Sequence, residues 1–456
     1  MQAGKARRER DMTSGPIVGN LFSFALPLLI GNLFQQLYNM VDTWVIGQTG
    51  ESGAFAAVGS VGPIVNIMVG IFSGFSSGAG VVISRYFGAH DEENVSRSVH
   101  TAVTVTLLLS AVFTALGVLL SPLAVRLMLG GTDGEVYPHA VTYLTIYFAG
   151  CAGLLIYNMS AAVLRAVGNS RYPFYFLLVS AVTNIVLDLL FVFCLGMGVA
   201  GVAIATVIAQ LLSAILATAV LFCARSSVRL SLQKLGIHTH ILKKQVIIGI
   251  PAAIQLALTA FSNVFVQSYI GGVEGDQTAA LGGWTAYSKI DMFLFLPSQS
   301  LSLAATTFVG QNLGAGDAVR ARRGVRTAFL MALTVTVPIT VLVILLAPHL
   351  AGIFNSDPAV VANATLLLRY ITPFYIFTCA NQIFAAGMRG AGNSLAPMVI
   401  MLTSFVGFRQ LYLFIASNYV SNDLLTVGMA YPAGWGICCL VMTVVYFSCR
   451  FNSSRE

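Results

Sequence analysis

Along the whole chain, long apolar runs alternate with short polar breaks. Runs such as 103–120 and 328–347 are nearly continuous and lack the period-two alternation of a barrel strand. Twelve such segments stand out, at 17–47, 54–85, 98–121, 136–165, 172–195, 199–223, 243–271, 278–310, 325–348, 362–388, 396–418 and 426–449. A helix needs about 20 apolar residues to cross a bilayer. The longer segments are expected to tilt, kink or run past the hydrocarbon. The pattern predicts an all-α integral membrane protein with 12 transmembrane helices. It divides into an N-terminal arm (1–15), a first lobe of six helices (16–230), a linker (231–242), a second lobe of six helices (243–449) and a C-terminal tail (450–456).

Composition narrows the class. Only 9% of the 456 residues are charged and 57% are hydrophobic, against about 25% charged in a soluble domain. That excludes an ordinary soluble enzyme, a disordered chain and a disulfide-stapled secreted domain. The net charge of +7 invites a nucleic-acid reading, but its location argues against one. With the N-terminus inside, 20 of the 24 Lys and Arg residues fall in inner loops and termini, and Arg126 alone in an outer loop. Lys289, Arg369 and Arg409 lie within segments. The basic charge is an orientation signal that places both termini in the cytoplasm of a cell-membrane protein. No nucleic-acid partner and no obligatory protein partner is implied. The seven cysteines are scattered without metal-ligand spacing and read as buried small hydrophobes or free thiols.

The two halves repeat. At a shift of 224 residues Pro27 falls on Pro251, Asn39 on Asn263 and Gly47 on Gly271. Arg165-Ala-Val-Gly-Asn-Ser170 falls on Arg389-Gly-Ala-Gly-Asn-Ser394. With two extra residues, Gly88-Ala-His-Asp91 falls on Gly314-Ala-Gly-Asp317. Six spans per half make the repeat parallel, an organisation that transporters commonly use.

Charges inside spans are costly and point to function. Asp42 lies late in the first segment and Asp188 in the fifth. Asn184 and Asp188 are four apart and share a helical face. Carboxylate and amide oxygens suit a hard cation such as Na⁺, and Thr206 adds a hydroxyl. The same carboxylate takes a proton instead if burial raises its pKa. Lys289, Asp291 and Arg409 are secondary candidates in the second half; Lys289 and Asp291, two apart, face different ways. Pro27 and Pro251 remove a helical hydrogen bond each and are candidate hinges. Phe34, Tyr38 and Tyr157 are weaker candidates for an adaptable substrate cleft. Gly74-Phe-Ser76-Ser-Gly78 mimics a nucleophile elbow, which needs a strand-turn-helix setting. Gly314-Ala-Gly-Asp317 mimics an intramembrane protease signature but reads better as a helix-end turn. No Walker motif occurs, so no nucleotide cofactor is implied and the chain is not read as an enzyme.

The first segment with Pro27 and Val-Asp42-Thr, the Gly-Ala-x-Asp turns and the paired Arg-x-x-Gly-Asn-Ser strings resemble the multidrug and toxic compound extrusion family over residues 15–450. The resemblance implies two six-helix lobes enclosing a central cleft. It implies export of cationic or amphipathic compounds driven by Na⁺ or H⁺ entry. It maps a cation-coupling cluster onto Asp42, Asn184, Asp188 and Thr206, and helix bending onto Pro27. The alternatives are a lipid-linked precursor flippase of the wider superfamily and an intramembrane enzyme.

Overall fold

The computed structural model describes residues 10–48, 53–129, 131–132 and 134–449. Lys5, Arg7 and Arg8 of the expected arm, and the expected tail at 450–456, lie outside the described residues. Among the described residues there is no strand. Eleven helices are long and apolar enough to cross a membrane, and a bent pair makes a twelfth. They are α1 (Ile17–Gly47), α2 (Ala54–Gly88), α3 (Glu92–Leu129), α4 (Val136–Ala149 with Cys151–Ala166), α5 (Arg171–Cys194), α6 (Gly198–Cys223), α7 (Thr239–Gly271), α8 (Gln277–Gly314), α9 (Ala318–Phe354), α10 (Pro358–Gly390), α11 (Leu395–Val420) and α12 (Leu424–Ser448). The apolar pattern foretold each of them.

Some helices begin before their apolar run does. α3 opens at Glu92 and α9 at Ala318, each with a charged first turn. Asp91 Oδ1 accepts from the Asn94 N–H at 3.0 Å, and Asp317 Oδ1 from the Arg320 N–H at 2.8 Å. Both act as helix caps. Asp317 is thus a cap, the turn reading of its motif. The preceding turn needs a left-handed residue, met by His90 (φ 56°) in one half and Gly316 (φ 84°) in the other. The Arg-x-x-Gly-Asn-Ser strings are built alike. Gly168 (φ 79°) and Gly392 (φ 86°) close α4 and α10. Asn169 Oδ1 and Asn393 Oδ1 then accept from Tyr172 N–H (3.2 Å) and Ala396 N–H (3.1 Å), opening α5 and α11.

α4 bends by 46° at Gly150. A Cβ there would collide with Val207 of α6, so glycine is what lets the two helices meet.

The chain forms two compact units. The first holds Leu26–Gly249 with Arg10 and Asp11; the second holds Met12–Ala25 and Ile250 onward. The chain therefore passes between units after Asp11, after Ala25 and after Gly249. The last two crossings fall inside a helix, just ahead of Pro27 in α1 and Pro251 in α7. In the first unit, apolar cores form around Phe72, Tyr147 and Leu155, and around Val99, Tyr157 and Leu221. The opening of α7 packs there: Gln245 Nε2 donates to Ser98 O at 3.0 Å, and Gly249 passes Gly78 backbone to backbone. In the second unit the core gathers Tyr287, Leu368, Tyr375 and Trp435. Met12 is fully buried there, its N–H donating to Gln311 Oε1 at 2.9 Å. Arg320 Nη2 donates to Met12 O (3.3 Å), Ser14 O (3.0 Å) and Gly15 O (2.7 Å).

Candidate cation site

Three helices of the first unit bring the acidic candidates together. α1 supplies Asp42, α5 supplies Asn184 and Asp188 one turn apart, and α6 supplies Thr206. Asp188 is 0%, Asn184 1% and Thr206 7% exposed, and Asp42 is half-buried. The carboxyls of Asp42 and Asp188 interact directly. Asn184 Nδ2 donates to Thr206 Oγ1 at 3.5 Å, and that hydroxyl donates to Val202 O at 3.0 Å.

The remaining oxygens are unanswered. Asp42 Oδ1, Asn184 Oδ1 and both carboxyl oxygens of Asp188 are buried without a hydrogen-bond donor. The ion pair of Arg97 with Glu93 lies in the opening turns of α3 and involves none of these acids. Buried acceptors are nearly always satisfied, and buried charge is tolerated only when paired. Four such acceptors have the chemistry that a proton or a hard cation satisfies.

Tyrosines surround the acids. Tyr38 of α1 and Tyr143 of α4 lie within electrostatic reach of Asp42. Tyr143 stacks on Tyr147 with ring centroids 6.2 Å apart. The sequence reading missed this α4 pair, whose one signal is two phenols four apart inside an apolar segment. Of the cleft candidates, Phe34 and Tyr38 are half-buried. Tyr157 is a packing residue, with its hydroxyl donating to Pro173 O at 3.2 Å.

The second unit holds the other candidates. Asp291 Oδ1 accepts from Tyr287, its neighbour one turn back, at 3.0 Å. Among the described residues, Lys289 and Asp291 form no ion pair. Arg409 is 2% exposed. Its Nη2 donates to Ser262 Oγ (2.8 Å) and Asn263 Oδ1 (3.0 Å) of α7. It lies 4.7 Å from the ring centroid of Tyr431 in α12. A π-helical stretch, Thr403–Phe408, immediately precedes it. No carboxylate answers Arg409 among the described residues. By the repeat, α7, α11 and α12 correspond to α1, α5 and α6, so one chemistry is acidic and its counterpart basic.

The MatE family model matches residues 27–190 and again 251–415. The chain belongs to the MatE family. The two MatE matches begin at Pro27 and Pro251, the same pair that fixes the internal repeat. Among MatE relatives, the chain is 28% identical to the probable multidrug resistance protein YoeA of Bacillus subtilis, over 93% of this chain and 92% of that one. It is 27% identical to the probable multidrug resistance protein NorM of Thermotoga maritima, over 89% and 87%. A solved structure of a MOP superfamily transporter from Pyrococcus furiosus superposes with a TM-score of 0.90 at 21% identity, covering 96% of this chain and 97% of that one. That likeness speaks to the fold. The matched proteins are transporters and resistance proteins, not enzymes.

Proposed function

We propose that this protein is a secondary multidrug exporter of the cell membrane, with both termini cytoplasmic. It exchanges small cationic or amphipathic organic compounds for Na⁺ or H⁺. The relatives named for multidrug resistance support the substrate class, and the basic bias of the inner loops supports the orientation.

The observation that carries the coupling is the donor-free set of oxygens on Asp42, Asn184 and Asp188. Asp188 and Asp42 hold the positive charge of the coupling ion, and Asn184 and Thr206 complete an oxygen environment. An organic cation is drawn to the same negative charge. Ion and drug therefore oppose each other at one locus, and a coupling free energy between two ligands is what antiport requires. Alternating access needs a bendable element, and Pro27 in α1 lies on the chain between the acid Asp42 and the boundary of the two units.

The experiment is export of a cationic dye by purified protein in liposomes. Inward Na⁺ and inward H⁺ gradients are imposed separately, with Asp188→Asn as control. Dye movement under one gradient, lost in the variant, supports antiport and names the ion. No gradient-driven movement of several cationic dyes by folded protein overturns the reading.

A further inference from the structure

At one end of the first unit two cavities join. The first, about 480 Å³, is an apolar groove on α3, α4 and α6, lined by Val103, Leu107, Ile156, Met159, Leu211 and Ile215 among others. The second, about 1260 Å³, opens where α3 begins and α6 ends, and takes in Arg97, Arg225, Arg229, Lys234, His100 and His238. Phe222, Leu230 and Leu232 line both, so the apolar groove runs into the basic cavity.

The basic cavity has a built wall. After α6 the chain turns back and is pinned to α3. The Leu230 N–H donates to Leu221 O at 3.0 Å. His100, 1% exposed, engages Ser96 O through Nδ1 at 2.7 Å. Its Nε2 accepts from the Ser231 N–H at 3.0 Å. The His238 N–H donates to Thr101 Oγ1 at 3.2 Å. Arg97 is matched by Glu93, and Glu92 is a further acid. Arg225, Arg229 and Lys234 have no ion-pair partner among the described residues. Leu232, beside Lys234, is 70% exposed, so apolar and basic groups alternate at the rim.

An apolar groove that ends in unpaired guanidinium and ammonium groups has the polarity of one ligand class. We propose that this is a binding site for an anionic phospholipid, with a chain in the groove and the phosphate against Arg225 and Arg229. Charge complementarity selects the occupant: arginine pairs with phosphate oxygens, and basic pockets at the ends of membrane helices hold anionic headgroups. A zwitterionic lipid carries its own counter-charge and gains less from these groups. The occupant also covers the groove, whose exposed aliphatic side chains have no protein partner over them. The site lies on the segment that connects the two halves, so its occupancy ties that segment to α3.

The test is native mass spectrometry of the full chain in detergent, titrated with dioleoyl phosphatidylglycerol, dioleoyl phosphatidylcholine and glycerol phosphate. One phosphatidylglycerol is retained in preference to phosphatidylcholine. The Arg225→Ala/Arg229→Ala double variant loses about tenfold in phosphatidylglycerol affinity and none in phosphatidylcholine affinity. The Arg→Lys double variant keeps most of it. Ala219→Trp, which fills the groove and leaves the charges intact, weakens both lipids. Unchanged phosphatidylglycerol binding in either the alanine or the tryptophan variant overturns the site. Displacement of the lipid by equimolar glycerol phosphate overturns the lipid and leaves a simple anion site.

Discussion

Asp42 of α1 meets Asp188 of α5, and three of their four carboxyl oxygens are buried without a donor. Two acids brought together from positions 42 and 188 of the sequence repel each other unless a positive species sits between them. Asp188→Asn removes one charge of the pair. Gradient-driven dye export should fall by at least about tenfold, the size of a typical coupling free energy. Thermal stability should hold or rise, because repulsion is relieved. Measuring transport and melting on one preparation separates this from simple unfolding.

Arg409 is an unanswered cation. Its loss to alanine removes the charged donor from Ser262 Oγ and Asn263 Oδ1, which keep only Gln410 Nε2 (3.0 Å) and the Tyr431 hydroxyl (3.3 Å). Arg409→Ala should cost about 1–3 kcal/mol. Arg409→Met, apolar and similarly long, should be neutral or stabilising, as for other buried charges replaced by well-packed apolar groups. Melting temperatures of the two variants check the order.

The clasp of Arg320 on the carbonyls of Met12, Ser14 and Gly15 fixes the chain leading into α1. Arg320→Ala should speed amide exchange over residues 12–20, by hydrogen-exchange mass spectrometry, while α10–α12 keep theirs. Equal protection in wild type and variant would show the clasp to be dispensable.

Gly78 faces the backbone of Gly249, and an added Cβ would also lie 2.6 Å from Gln245 O. Backbone atoms do not rotate aside. Gly78→Ala should therefore destabilise by about 1–3 kcal/mol, read as a lower melting temperature.

His90 holds a left-handed conformation that its repeat mate Gly316 adopts as a glycine. His90→Gly should stabilise by about 1 kcal/mol. A fall in melting temperature would mean that the imidazole makes a contact worth more than the strain.

The spans and the acids were legible in the sequence because each has a local signal. A run of twenty apolar residues reads as a span, and a carboxylate within it is conspicuous. Asn184 and Asp188 declared their shared face by spacing alone. Tyr143 and Tyr147 did not, since phenols are common in apolar helices. The partners of Arg409 lie about 146 residues upstream, and nothing local marks them. The split of α1 near Pro27 was hidden for another reason. A helix is continuous in sequence even where its two ends pack with different neighbours, so the proline showed a weak point without showing what pulls on either side.

Cation binding to the detergent-solubilised protein is the most direct probe of the acid pair. Na⁺ titration at fixed pH, and proton uptake on a pH jump, are measured for wild type, Asp42→Asn, Asp188→Asn and the double variant. One saturable event in the wild type, abolished by either single substitution and no worse in the double, is the expected result. Saturable binding of undiminished strength in Asp188→Asn would place the coupling ion elsewhere and contradict the proposed mechanism.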